Sequence, residues 1–206
     1  MLHMFDDWES LFSVLLRFGH IIFGIIWLGH LFFLNLVNVP FQGDLDKELK
    51  PKVNPKLLLR AFYWFRWGAM YTFIFGWLLF GYKYGHQHLL LVDGHLSNRA
   101  VWILFGGLVG TIMWFNVWFI IWPAQKLILG GMAKGTPHPN AAALGAKALK
   151  ASRFNLFASG PLLFGMIFPN NDPGRSPAAM LLAFILGVGF WFGMIKRSFK
   201  IKTTVE

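Results

Sequence analysis

The sequence predicts an all-α integral membrane protein, a bundle of about five transmembrane helices with its N-terminus outside and its C-terminus in the cytoplasm. Three observations lead to this fold class. Hydrophobic residues make up 56% of the chain and charged residues only 14%, where a soluble domain carries about a quarter charged. Five apolar stretches are each of a length that suits a bilayer, which takes about 20 helical residues to cross. Lysine and arginine then alternate between the connections in a way that orients the whole set. No composition shift divides the chain, so 1–206 reads as a single transmembrane domain.

The first span covers about 10–37, the second 60–82, the third 99–123, the fourth 154–168 and the fifth 178–195. The first is no secretory leader, because its flank (Asp6, Asp7, Glu9) is acidic and its apolar run is too long. The fourth is short, is preceded by the helix-compatible segment 141–151, and holds Pro161, which should kink it. Its length also suits a re-entrant hairpin.

Basic residues crowd three segments. The 38–60 connection has Lys47, Lys50, Lys52, Lys56 and Arg60; the 124–153 connection has Lys126, Lys134, Lys147, Lys150 and Arg153; the tail has Lys196, Arg197, Lys200 and Lys202. The intervening segments are poor in Lys and Arg, which places the basic ones on the cytoplasmic side. The net charge of +10 is then topology and contact with anionic lipid. Nucleic acid is excluded as a partner, since the charge is split among three segments with no recognition motif. Gly106-x-x-x-Gly110 and Gly189-x-x-x-Gly193 are candidates for close helix contacts.

Cysteine is absent, which removes thiolate metal sites, iron–sulfur clusters and covalently attached haem. Polar residues inside a membrane are costly, so each one in a span is a functional candidate. On the first span Arg17, His20, Gly24 and Trp27 share one stripe. An imidazole with a glycine one turn on suits a b-type haem: nitrogen for the iron, a gap for the macrocycle, and Arg17 for a propionate. His30 lies about 15 Å deeper and about 80° round the helix, too far to share that iron. The plainer reading of a lone membrane histidine is a hydrogen bond to a neighbouring helix. No other span has a histidine, so a second axial ligand would come from Met70, Met113, Met166 or another subunit.

A second cluster gathers at the cytoplasmic half: Trp64, Arg66 and Trp67 on the second span, Asn116 and Gln125 on the third, Asn155 on the fourth. Such amides and guanidinium groups bind a quinone head, a propionate or a small anion, or bridge helices. Interfacial anchoring accounts for the tryptophans equally well. In the outer loop His86, His88 and His95 form a weaker candidate, a copper or zinc site if His-x-His adopts a strand. No Ser–His–Asp set, nucleotide-binding glycine loop or carboxylate pair is present.

Several stretches carry a family resemblance. These are Arg17-Phe-Gly-His20 through Trp27-Leu-Gly29, Trp64-Phe-Arg-Trp67-Gly68, Gly110 through Asn116-Val-Trp118, Ile121-Trp-Pro123-Ala-Gln125-Lys126, and Ser152-Arg-Phe-Asn155 through Pro161. In order and over nearly the whole chain, they resemble the membrane (N-terminal) domain of bacterial cytochrome-c-linked urate oxidases, in a short form without the cytochrome c domain. The resemblance implies an oxidoreductase membrane module passing electrons towards cytochrome c. The chain departs from the longer members at Phe154, where they carry histidine, and at His30, where a small residue is usual. The expected function is therefore a haem-binding electron-transfer subunit in contact with lipid and with other membrane subunits or a second copy of itself. Two alternatives stand beside it. One is a cofactor-free accessory subunit of a respiratory or photosynthetic complex. The other is a urate-oxidising enzyme that uses Arg66, Asn116 and Gln125 as its anion pocket.

Overall fold

The computed structural model describes residues 8–170 and 176–201; Asp6, Asp7 and Lys202, named above, lie outside them. The described chain is almost entirely helical. Its five helices are α1 (Trp8–Asp44), α2 (Lys50–Phe80), α3 (Asn98–Ala133), α4 (Ala141–Ile167) and α5 (Pro177–Ser198). Three of them, α1, α3 and α5, are long and apolar enough to cross a membrane.

The other two fall short by composition. The middle of α2 carries Arg66 among Trp64, Trp67, Tyr71 and Trp77, and α4 opens with Lys147, Lys150 and Arg153. In α4 the basic side chains lie at or near the surface, whereas the amide and hydroxyl further along are covered by protein. α4 lies between α3 and α5 and also touches α1, with Asn155, Leu156 and Ser159 wholly buried. A helix shielded by protein can afford more polar atoms than one facing lipid.

α4 runs unbroken from Ala141 to Ile167 with Pro161 inside it, which overturns the re-entrant hairpin. The helix-forming segment 141–151 and the short apolar span are one element. Pro161 removes a backbone donor, yet neighbouring helices stabilise such positions in membranes. Here Pro161 is buried against Gly187 of α5.

Two helices widen into π turns, at Phe33–Asn38 in α1 and at Asn116–Ile121 in α3. Each ends just before a proline, Pro40 and Pro123. Proline cannot donate to the carbonyl one turn back and its ring crowds that carbonyl, so the preceding turn opens. A third π turn, Gly81–His86, ends α2 and contains two glycines and no proline.

The core sits where α1 to α4 meet. Trp27 and Leu31 of α1, Phe62 and Phe65 of α2, Met113 and Val117 of α3, and Leu162 of α4 form one buried cluster. α1 packs along α2 and α3 along α4. Glycine sets the closeness of these contacts. A Cβ on Gly165 would stand 2.8 Å from the Cα of Gly106, and one on Gly160 would stand 2.5 Å from the Cα of Gly187. Of the two glycine pairs picked out by spacing, Gly106 makes a tight contact and Gly110 an ordinary one with Leu162. Gly189 and Gly193 meet nothing, because it is Gly187 that α5 turns to α4.

Outside the helices there is a two-stranded hairpin, Leu91–Val92 with His95–Leu96. Asp93 and Gly94 both have positive φ (51° and 77°), which is the type I′ turn that matches strand twist. Ser97 then caps α3 by accepting from the Ala100 amide at 3.1 Å.

Candidate functional site: a histidine between α1 and α2 and an amide layer below it

His20 lies on the face of α1 that also carries the buried Ser13, Leu16, Trp27 and Leu31. Its Nδ1 donates to the backbone carbonyl of Thr72 on α2 at 2.9 Å. A carbonyl only accepts, so this nitrogen bears the proton, and in the neutral ring Nε2 then carries the lone pair. The ring gets this close because residue 76 is glycine: a Cβ there would meet His20 Cε1 at 2.8 Å and Nδ1 at 3.0 Å. Thr72 turns its own hydroxyl back to the Gly68 carbonyl at 2.7 Å. Phe75 covers Gly19 alongside, and Phe23 stacks on Phe75 at 5.8 Å.

The other stripe residues divide. Trp27 is buried, with its indole N–H unpartnered. A Cβ on Gly24 would lie 3.8 Å from the Thr72 methyl, so the gap there admits a methyl group. A macrocycle therefore does not lie between Gly24 and α2. Arg17 is exposed; burial pushes the Tyr84 hydroxyl up, opposed by Arg99 and Arg17. His30 donates within its own helix to the Ile26 carbonyl at 2.7 Å, apart from His20. Met113 is enclosed in the core and Met166 packs against Gly106.

Below this level lies a layer of buried amides. Asn116 opens the π turn of α3 and donates to Asn155 Oδ1 at 2.8 Å, and Asn155 donates to the Met113 carbonyl at 2.9 Å. The widened turn at Pro123 accompanies the turning of Asn116 toward α4. Asn35, in the matching π turn of α1, donates to the Leu31 carbonyl (2.9 Å) and to Ser152 Oγ (2.8 Å). Gln42 and Asn54 exchange two bonds of 2.8 and 2.9 Å, joining the ends of α1 and α2. Asn35, Thr72, Gly76 and the Gln42–Asn54 pair were missed in the sequence. Asn35 carries the same signal as Asn116, an amide in an apolar span; the others become visible only once helices are paired.

Arg66 sits elsewhere, on the α2–α3 face, with its guanidinium 3.9 Å from the Trp122 ring centre. Trp67 meets Trp118 edge to face at 5.4 Å, and Trp118 donates to the Arg66 carbonyl at 3.1 Å. Trp64 is exposed. The amide of Asn116 is committed to α4, and Gln125 is partly buried one turn beyond Trp122. The anion pocket expected of Arg66, Asn116 and Gln125 is thus not assembled.

The outer histidines do not converge either. Among the described residues no three His, Cys, Asp or Glu side chains are grouped to hold a metal ion. His86 ends a helix and faces Glu9 at 3.8 Å, His88 has φ of 53°, and His95 is in the hairpin. The strand expected of His-x-His is a helix end.

A family model described as urate oxidase N-terminal matches residues 88–203, more than half of the chain. The chain belongs to the urate oxidase N-terminal family. Neither a curated protein nor a solved structure matches it. Within this family member the match takes in the hairpin, α3, α4 and α5, and with them Asn116, Gln125 and Asn155. His20, Thr72 and Arg66 precede it.

Proposed function

We propose that this urate oxidase N-terminal family member is a five-span protein of the bacterial inner membrane, N-terminus outside, that serves as a b-haem-binding electron-transfer subunit. The observation that carries the reading is the bond from His20 Nδ1 to the Thr72 carbonyl. A metal-bound histidine usually donates its other nitrogen in this way, which fixes the tautomer, orients the ring and makes the ligating nitrogen more basic. His20 would hold the group through Nε2, as a single histidine does in other haem proteins. Bound there, the group would supply a one-electron redox centre. The chain's part is to hold Nε2 unprotonated and aimed, and to keep water away with Phe23 and Phe75. A second ligand would come from another subunit or a second copy, and cytochrome c is the acceptor that the family resemblance implies.

A second reading, the cofactor-free accessory subunit, is favoured by the amide layer. Asn116, Asn155, Gln42 and Asn54 satisfy one another, as residues that hold a bundle together do. A pyridine haemochrome assay on protein purified from haem-replete cells separates the two. About one haem per chain supports the first, and none supports the second.

A further inference from the structure

The guanidinium of Arg66 has no hydrogen bond or ion pair among the described residues, and its Nε is buried without an acceptor. Among the described residues no carboxylate reaches it. Between Glu48 and Asp172 the only acid is Asp93, in the hairpin at the opposite end of α3. Asp44, Asp46 and Glu48 precede Lys50, from which Arg66 lies about 24 Å along α2. An arginine that is partly withdrawn from water and left unpaired is costly, so an anion from outside the chain is the expected partner.

The surroundings specify that anion. The guanidinium carbon lies 3.9 Å from the Trp122 ring centre and 5.8 to 5.9 Å from those of Tyr63, Trp67 and Trp118. Such stacking stiffens the group and leaves its N–H fork free. Tyr63 and Trp64 are half exposed beside it, as in the aromatic belts found at headgroup level. Arg66 lies about 9 Å further into the bundle than Arg60, and Lys126 follows Trp122 by one turn on the side of the basic connection. A fixed, unpaired guanidinium at that depth, with an aromatic surface for acyl chains and a lysine outside it, matches a phospholipid.

We propose that Arg66, stacked on Trp122, binds the phosphate of an anionic phospholipid at the basic end of the α2–α3 face. The site rests on the membrane reading and is independent of haem. Charge-assisted bonds of this kind correspond to a loss of about tenfold to a hundredfold in affinity when the charge is removed.

Native mass spectrometry of the delipidated full chain in detergent, titrated with phosphatidylglycerol, tests this. The wild type should retain one phosphatidylglycerol in preference to phosphatidylcholine, and Arg66→Gln should weaken that retention about tenfold or more. Arg66→Lys, which keeps the charge and loses the flat fork, should fall between them; should the Gln variant fail to insert, Lys and Trp122→Leu provide the comparison, both weaker than wild type. Equal retention by wild type and variants, or no preference over phosphatidylcholine, overturns the proposal. So does displacement of the lipid by inorganic phosphate at millimolar concentration, which would assign the site to a free oxyanion. The haem assay separates this from the proposed function, since Arg66→Gln should leave haem content unchanged.

Discussion

His20 donates to the Thr72 carbonyl across the bare α-carbon of Gly76. Two helices are joined at this point by an imidazole that uses one nitrogen structurally and leaves the other available.

Gly76→Ala is the sharpest probe of that relationship. Its Cβ would occupy the place of the His20 ring edge, 2.8 Å from Cε1, so the ring must turn away from Thr72. The variant should lose haem as His20→Ala does, although the imidazole is still present. His30→Ala should retain it. Haem content of the three purified variants checks this, and a haem-replete Gly76→Ala protein would show that the Thr72 bond is unimportant.

The amide bridge should matter to stability. Asn155→Leu leaves the buried Asn116 amide without its acceptor, an expected cost of about 1–3 kcal/mol. Asn116→Leu removes a donor, and Asn155 keeps its bond to Met113, so the loss should be smaller. Reversible unfolding in detergent measures both, and the double variant should show a coupling of about 0.6 kcal/mol. Additive losses would mean that the bridge is not formed.

Glycine positions give a paired contrast. Gly187→Ala places a methyl within 2.7 Å of Gly160 and must separate α4 from α5, costing about 1–3 kcal/mol. Gly189→Ala meets nothing and should stay within about 0.5 kcal/mol of wild type. Equal effects would contradict the register of α5.

For the five-span topology, single cysteines at Asn98 and Gly135 should label from opposite sides of intact membranes, since α3 lies between them. Labelling of both from the outside would rule it out.

The helical class and the positions of the elements were legible because apolar runs and charge alternation are local properties. Helix length was less so. α1 continues through Asn38 and Pro40 to Asp44, where proline and polar residues read as an exit, because a π turn absorbs the proline. α4 joined what looked like two pieces because its basic first turns are themselves helix-forming and Pro161 is packed against Gly187 of α5 without ending the helix. At the site, His20 was found by the cost of a polar group in a membrane. Its partner is a backbone carbonyl, which no residue type announces, and its enabling residue is one glycine among 22. The misread slot at Gly24 follows from that: spacing along one helix cannot show that Thr72 of another fills the space. Likewise the outer histidines shared a loop in sequence and separate because a helix end and a left-handed residue intervene.

The central claim, that His20 offers Nε2 to a haem iron, is tested most directly by oxidised and dithionite-reduced absorption spectra of wild type and His20→Ala, purified side by side from haem-replete cells. The account predicts reduced b-type bands in the wild type and their loss in a variant that remains inserted and folded. A colourless wild type, or bands unchanged in His20→Ala, would contradict it.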